Sequence, residues 1–175
     1  MAVIHGEIGA LTLLIFLNGY KKSHKNLHMW DFFCTFASAI IKIETIIMTL
    51  HVTPEYITSL KPNEIFVFGS NLAGMHGGGA AHIAHKLFGA EWGVGVGPTG
   101  QCYAIPTMQG GVETIRPYVD EFIDYAKQHP DLLFRVTRIG CGIAGFTNEE
   151  IAPLFKAAVA MENVSLPNGW REINE

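Results

Sequence analysis

Two glycine-rich stretches are the part of this sequence best suited to binding a charged ligand. The first covers Gly69–Gly79 and the second covers Gly140–Gly145. Because glycine has no Cβ, the backbone N–H groups of such loops can approach an anion closely and adopt positive φ angles. The first stretch also leads into a predicted helix at Ala80, and a helix N-terminus favours negative charge. The pattern predicts a site for phosphate groups.

Two polar side chains within the first stretch are candidates for this site. Asn71 directly follows a predicted strand, where its amide can bind a ribose hydroxyl or close the turn through a local hydrogen bond. His76 is a candidate general base, since histidine titrates near neutral pH. No acidic residue adjoins His76 in the sequence, which favours a solvated loop side chain instead.

Three side chains in or next to the second stretch could serve either a ligand or the fold. Arg138 could contact a phosphate or form an ion pair with Glu149 or Glu150. Phe146 could stack on a base or a ribose, or it could pack in the core. Cys141 lies between two glycines with no evident His or Asp partner, which favours a buried structural thiol.

Several other site classes do not fit the spacing of these residues. No Gly-Lys-Ser/Thr follows the first stretch, and the order of Gly74–Gly79 does not match the dinucleotide-binding fingerprint. His82 and His85 share a helix face but lack a third ligand, so we expect no metal ion and no cofactor. The three cysteines are widely spaced, which argues against a disulfide framework and predicts a cytoplasmic protein.

Strands alternate with helices along residues 48–175, which predicts an α/β fold with a mostly parallel central sheet. Both glycine-rich stretches follow a strand and precede a helix, so we expect them at the same edge of that sheet, where ligands bind in such folds. The predicted strands are Ile65–Gly69, Cys102–Pro106, Leu132–Ile139 and Asn163–Pro167. The predicted helices are Ala80–Phe88 with Gly89 at its C-terminus, Thr114–Gln128 ending before Pro130, and one that starts after Thr147 with Glu150 in a capping box. The second helix should bury Ile115, Val119, Phe122, Ile123 and Ala126.

The first 47 residues differ in amino-acid composition from the rest of the chain. All 8 prolines and 16 of the 19 glycines lie from Met48 onward. Ile8–Leu17 is an apolar run too short to span a bilayer, and the charges around it do not match a signal peptide. We interpret residues 1–47 as a hydrophobic extension added by a misassigned start codon, with residues 48–175 as a domain that folds without it. A membrane-associated hairpin is the alternative.

Composition excludes some partners. The chain has 175 residues, of which 49% are hydrophobic and 16% are charged, and its net charge is −4. These values indicate a globular protein without the basic footprint of a nucleic-acid-binding protein.

The two loops and one strand resemble the macrodomain family, closest to its terminal ADP-ribose glycohydrolase branch and to compact bacterial and phage macro-like proteins. The resemblance covers roughly Ile65 to Leu166. The segments that carry it are Asn71-Leu72, Gly77–Ala80, His85, Gly89, Ala104–Thr107 and Thr137–Ile143. It implies a three-layer macrodomain-like fold that binds ADP-ribose or a related nucleotide diphosphate. The ligand-binding residues expected on these grounds are Gly69, Ser70, Asn71, Leu72, Gly77, Gly78, Gly79, Ala80, Thr107, Gly140, Cys141, Gly142, Ile143, Ala144, Gly145 and Phe146.

The resemblance does not extend to the family's catalytic residues. The positions that match them hold Ala81, Met108 and Ala144, and none of these side chains can take a proton or form an adduct. We therefore expect a module that binds ADP-ribose and ADP-ribosylated macromolecules. A hydrolase of ADP-ribose adducts or ADP-ribose phosphates that uses His76 or a water molecule oriented by the substrate is the alternative. A protein-interaction module with a degenerate pocket is a second alternative.

Overall fold

The computed structural model describes residues 34–42 and 52–175, and the chain divides into two units, Met1–Thr49 and Leu50–Glu175. In the first unit, residues 34–42 are helical. Across the described residues, no helix is both long enough and apolar enough to cross a membrane. The apolar run Ile8–Leu17 and most of the hairpin alternative lie outside the described residues.

The second unit is built on a six-stranded sheet that is mostly parallel. Its strands are β1 (Val52–Thr53), β2 (Glu64–Ser70), β3 (Gly97–Thr99), β4 (Cys102–Pro106), β5 (Leu133–Val136) and β6 (Val164–Pro167). Their order across the sheet is β1-β6-β5-β2-β4-β3, and β3 pairs with β4 as the single antiparallel neighbour among the described strands. The prediction of an α/β fold with a mostly parallel sheet is confirmed.

Helices follow most of the strands. They are α1 (Gly79–Phe88), α2 (Arg116–Gln128), α3 (Asn148–Ile151) and α4 (Trp170–Ile173), with 3-10 helices at Val112–Thr114 and Ala152–Ala158. Gly89 ends α1 with a φ angle of 76°, which agrees with the predicted C-terminal glycine. Thr147 and Glu150 form the predicted capping box in front of α3.

Both faces of the sheet carry apolar side chains that pack against helices. Successive residues of a strand point to opposite faces. In β2, Phe66 and Phe68 belong to the cluster that includes α1, whereas Val67 belongs to the cluster that includes α2 and the 3-10 helix Ala152–Ala158. All five residues predicted for the buried face of α2 are buried. The central strands are therefore covered on both sides, as their continuous apolar sequences require.

Several predicted boundaries are wrong. The strand predicted at Leu132–Ile139 is shorter, because the Ile139 N–H turns back to the carbonyl of Thr137 at 2.7 Å. The helix predicted from Thr114 starts at Arg116, after a separate 3-10 turn. The short strands β1 and β3 were not predicted. β3 contains Pro98, which an edge strand tolerates because one side of its backbone has no neighbouring strand.

One ion pair is almost completely enclosed. Arg135 donates from Nη2 to Glu64 Oε1 at 2.6 Å, and the two side chains are 11% and 9% exposed. The Lys61 N–H donates to the other carboxylate oxygen at 2.9 Å. Burial acts to raise the pKa of Glu64, but the Lys61 N–H and the Arg135 guanidinium outweigh it and hold that pKa below its ordinary value of 4.5. The carboxylate is therefore ionised in the folded protein at neutral pH.

Candidate functional site

A cleft opens where the two central parallel strands end. β2 and β5 are parallel neighbours, so the loops that follow them emerge at the same edge of the sheet, as predicted. The cavity measures about 150 Å³, which suits a phosphate group or two better than a whole nucleotide. Its lining consists of Gly69, Ser70, Asn71, Met75, Gly78, Gly79, Ala80, Ala81, Thr107, Met108, Thr137, Arg138, Ile139, Gly140, Gly142, Ile143 and Ala144.

Three segments meet at the floor of the cleft: the end of β2 and the residues that follow β4 and β5. A Cβ at Gly69 would lie 3.3 Å from the backbone nitrogen of Gly140 and 3.5 Å from Thr107 Oγ1. These distances leave little room for a side chain at the end of β2. Glycine at position 69 therefore allows the three segments to meet and leaves the space above them open.

One wall is the N-terminus of α1. The N-cap residue, Gly78, provides no side-chain cap, and the first turn of this ten-residue helix contains no acidic residue. The first N–H groups of a helix have no intrahelical acceptor. The amides at Gly79–Ala81 can therefore donate to a ligand.

The facing wall is the loop after β5. Gly140 and Gly145 have φ angles of 74° and 81°, which let the loop turn sharply. The N–H groups of Gly142, Ile143 and Ala144 form no hydrogen bond with any of the described residues. Gly78 faces this loop closely, since a Cβ there would lie 3.2 Å from Ile143 Cδ1. The cleft is thus narrow, with backbone donors on both sides.

Arg138 is the one charged residue among the described residues that line the cleft. Its Nη1 donates to Asn148 Oδ1 at 2.7 Å, and its Nη2 donates to the Asn168 carbonyl at 3.3 Å. The ion pair with Glu149 or Glu150, one of the two interpretations of Arg138 from the sequence, is therefore not formed. With one cation, several free amides and no carboxylate among its described lining residues, the cleft attracts anions.

Asn71 uses its amide to hold its own loop. Its Nδ2 donates to the Met75 carbonyl at 2.9 Å, and its Oδ1 accepts from the Met75 N–H at 3.1 Å. This supports the alternative in which the asparagine fixes the turn. Asn71 is nevertheless one of the residues that line the cleft.

The expectation that His76 is a solvated loop side chain is wrong, because the structure buries it completely. Its ring packs edge-on against Phe68 and Trp92, with centroids 5.2 Å and 6.1 Å away, and Nε2 hydrogen-bonds to the Glu91 carbonyl at 3.0 Å. This position is structural, and it takes the candidate base away from the lining of the cleft.

Five predicted ligand-binding residues belong to the two loops but lie outside the cleft lining described here: Leu72, Gly77, Cys141, Gly145 and Phe146. Phe146 packs against the core cluster that includes α2, and its ring lies 3.2 Å from where a Cβ of Gly140 would be. Burial raises the pKa of Cys141, which nearby Arg138 offsets only in part, so this thiol is a poor nucleophile at neutral pH.

The lining also contains residues that were not predicted as ligand contacts. They are Met75, Ala81, Met108, Thr137 and Ile139, whereas Arg138, which also lines the cleft, had been considered as a phosphate contact. Most of them directly follow the ends of β4 and β5, and this position at the carboxyl edge of the sheet was the signal that could have identified them.

Comparisons of the chain with family models, with curated proteins and with solved structures found no match. What the cleft binds must therefore be inferred from its own chemistry.

Proposed function

We propose that the cleft binds ADP-ribose or a related nucleotide diphosphate. The observation that carries the proposal is the convergence of free backbone N–H groups from α1 and from the loop at Gly142–Ala144 on one narrow cleft. Such a site stabilises a diphosphate through hydrogen bonds and the positive end of the helix dipole. Arg138 adds the matching charge. The resemblance of both loops to the macrodomain family supports the same ligand.

The packing of helices on both faces of the sheet supports the proposal that the fold is a three-layer, macrodomain-like one. Helices pack on both faces of the mostly parallel sheet, and the cleft lies at the carboxyl edge of its two central strands. A three-layer, macrodomain-like arrangement is consistent with both features. The small cavity would hold the diphosphate, with the two ends of the nucleotide extending along the surface.

Titration of the full chain with ADP-ribose by calorimetry tests this proposal. We expect saturable binding to one site, which should be lost or weakened at least tenfold in Gly78→Val. Gly78 has a φ of −153° and a ψ of 167°, an extended conformation that valine adopts readily, so the fold should persist. The new side chain would fill the gap between the two walls, where Ile143 already lies close.

Gly77→Ala is the matched control. A Cβ at Gly77 has no neighbour within 4 Å, so this variant should keep both the fold and the affinity. Wild-type protein that shows no saturable heat with ADP-ribose would contradict the proposal. Equal affinity in wild type and Gly78→Val would show that any binding occurs elsewhere.

We propose binding without turnover because the described residues that line the cleft include no group that can act as a general base. Ala81, Met108 and Ala144 line it, and Arg138 is the only ionisable side chain among its described lining residues. General acid–base catalysis typically contributes ~10²–10⁴-fold to a rate and requires such a group. Incubation with protein carrying glutamate-linked, labelled ADP-ribose should therefore leave the label attached. Rapid release would show that this is an enzyme.

A further inference from the structure

Arg138 is held in place by partners that leave its charge intact. The acceptors of its two hydrogen bonds, Asn148 Oδ1 and the Asn168 carbonyl, are both neutral. The two ion pairs found among the described residues are Lys127–Asp124 and Arg135–Glu64, so neither includes Arg138. The guanidinium has five N–H donors, and these two bonds leave several of them available.

Glu150, one of the two glutamates considered as partners of Arg138, is bonded to another residue. Glu150 Oε2 accepts from the Thr147 N–H at 2.8 Å and from Thr147 Oγ1 at 3.1 Å, as part of the capping box. The sequence therefore places a glutamate close to Arg138, but the fold uses its carboxylate to start α3. The positive charge at the cleft is left for a ligand.

Asn148 is the residue that fixes the guanidinium. The same Oδ1 that accepts from Arg138 also accepts from Trp170 Nε1 at 2.8 Å, and Trp170 is completely buried. Asn148 is thus anchored to the core on one side and to Arg138 on the other. An aspartate would match its shape and could accept both hydrogen bonds, yet it would neutralise the arginine.

We propose that Arg138 is the charge-selecting residue of the cleft: it pairs with a phosphate of the ligand, and Asn148 positions it because asparagine fixes the guanidinium without neutralising it. The proposal deepens the function proposed above and rests on the same cleft. Ligands that present a diphosphate should be favoured over those that carry a single phosphodiester charge. Charge-assisted hydrogen bonds of this kind are about twice as strong as neutral ones.

The test measures binding of inorganic pyrophosphate and of ADP-ribose to four full-length proteins: wild type, Arg138→Gln, Asn148→Asp and Arg116→Gln. Arg116 is an exposed arginine at the start of α2, and its replacement changes the net charge as Arg138→Gln does. We expect Arg138→Gln to weaken pyrophosphate binding about tenfold or more, a loss expected for a hydrogen bond to a charged group. Asn148→Asp should weaken it comparably while thermal stability stays equal or rises. Arg116→Gln should bind like wild type.

The two ligands separate this proposal from the proposed function. Pyrophosphate binding that depends on Arg138, without any ADP-ribose binding, would support the charge-selecting role of Arg138. It would overturn the proposal that the ligand is ADP-ribose or a related nucleotide. ADP-ribose binding that is equal in wild type and Arg138→Gln would overturn the role of Arg138 and leave the proposed function standing. Full pyrophosphate affinity in Asn148→Asp would also overturn it, because the effect of Arg138 would then not depend on its charge. No binding of either ligand to the wild type would overturn both.

Discussion

Replacement of Glu64 by alanine is expected to lower the free energy of unfolding by about 3–5 kcal/mol, the usual cost of breaking a buried ion pair. The variant would leave the Arg135 guanidinium without this carboxylate at a position where only 11% of its side chain reaches solvent. It would also remove the acceptor of the Lys61 N–H at the start of β2. Urea unfolding at neutral pH, followed by circular dichroism, measures the change.

The exposed pair between Asp124 and Lys127 provides the control. Its atoms lie 2.8 Å apart, but the side chains are 67% and 57% exposed, so Asp124→Ala should change stability by no more than about 0.5 kcal/mol. Replacing Glu64 and Arg135 together by methionine should recover much of the loss, since no charge is then left buried. If Glu64→Ala and Asp124→Ala lower the free energy of unfolding by the same amount, burial of the Glu64–Arg135 pair adds nothing to stability.

The contribution of this pair also depends on pH in a defined direction. The folded-state pKa of Glu64 lies below the ordinary value of 4.5, so the stability it provides is complete above that pH. It is lost as the pH falls through the folded-state pKa. The difference in unfolding free energy between wild type and Glu64→Gln should therefore be constant near neutral pH and shrink in acid. A difference that grows in acid would mean that the folded protein raises this pKa.

Replacement of Gly95 by alanine should destabilise the domain by roughly 3 kcal/mol, the upper end of the usual cost of overpacking. A Cβ at Gly95 would overlap the carbonyl oxygen of Asn71 and lie 2.9 Å from the backbone nitrogen of Gly74. These two groups form the hydrogen bond that closes the turn Asn71–Gly74. Backbone atoms cannot rotate aside as a side chain can, so the turn itself must move.

The same variant should weaken ligand binding, because Asn71 lines the cleft and the moved turn leads into the N-terminus of α1. Gly77→Ala is again the control, and it should stay within about 0.5 kcal/mol of wild type, as expected of a surface substitution without steric conflict. Thermal unfolding and calorimetric titration of both variants measure the two effects. Unchanged stability in Gly95→Ala would mean that the turn and the segment around Gly95 are not in contact.

The parts of the fold that could be predicted are those in which local sequence decides the structure. β4 has the predicted bounds, since its apolar run is bordered by turn residues, and α1 ends at the predicted glycine. The shared edge of the two loops followed from strand and helix order alone. β1 and β3 escaped prediction because strands of two and three residues have no detectable alternation, and Gly97-Pro98 is typical of a turn.

The details of the site depended on contacts between distant residues. Nothing near His76 in the sequence indicates burial, because the ring is enclosed by Phe68 and Trp92 from other elements. The partners of Arg138 lie 10 and 30 residues further along the chain, so local spacing could not choose between a phosphate, a glutamate and an asparagine. Hydrogen-bond partners of exposed side chains are fixed by tertiary packing, which sequence patterns do not encode directly.

The pairing of β1 with β6 has a consequence for how a nascent chain acquires this structure. Val52 pairs with Leu166, and Thr53 Oγ1 donates to the carbonyl of Ser165, 112 residues later. At ~5–20 residues per second, a ribosome would need roughly 5–20 s to make the intervening chain. Until then both β1 and the outer edge of β5 lack their partner, β6. The growing polypeptide thus exposes open strand edges, which makes this interval the one in which chaperones would best protect it from aggregation.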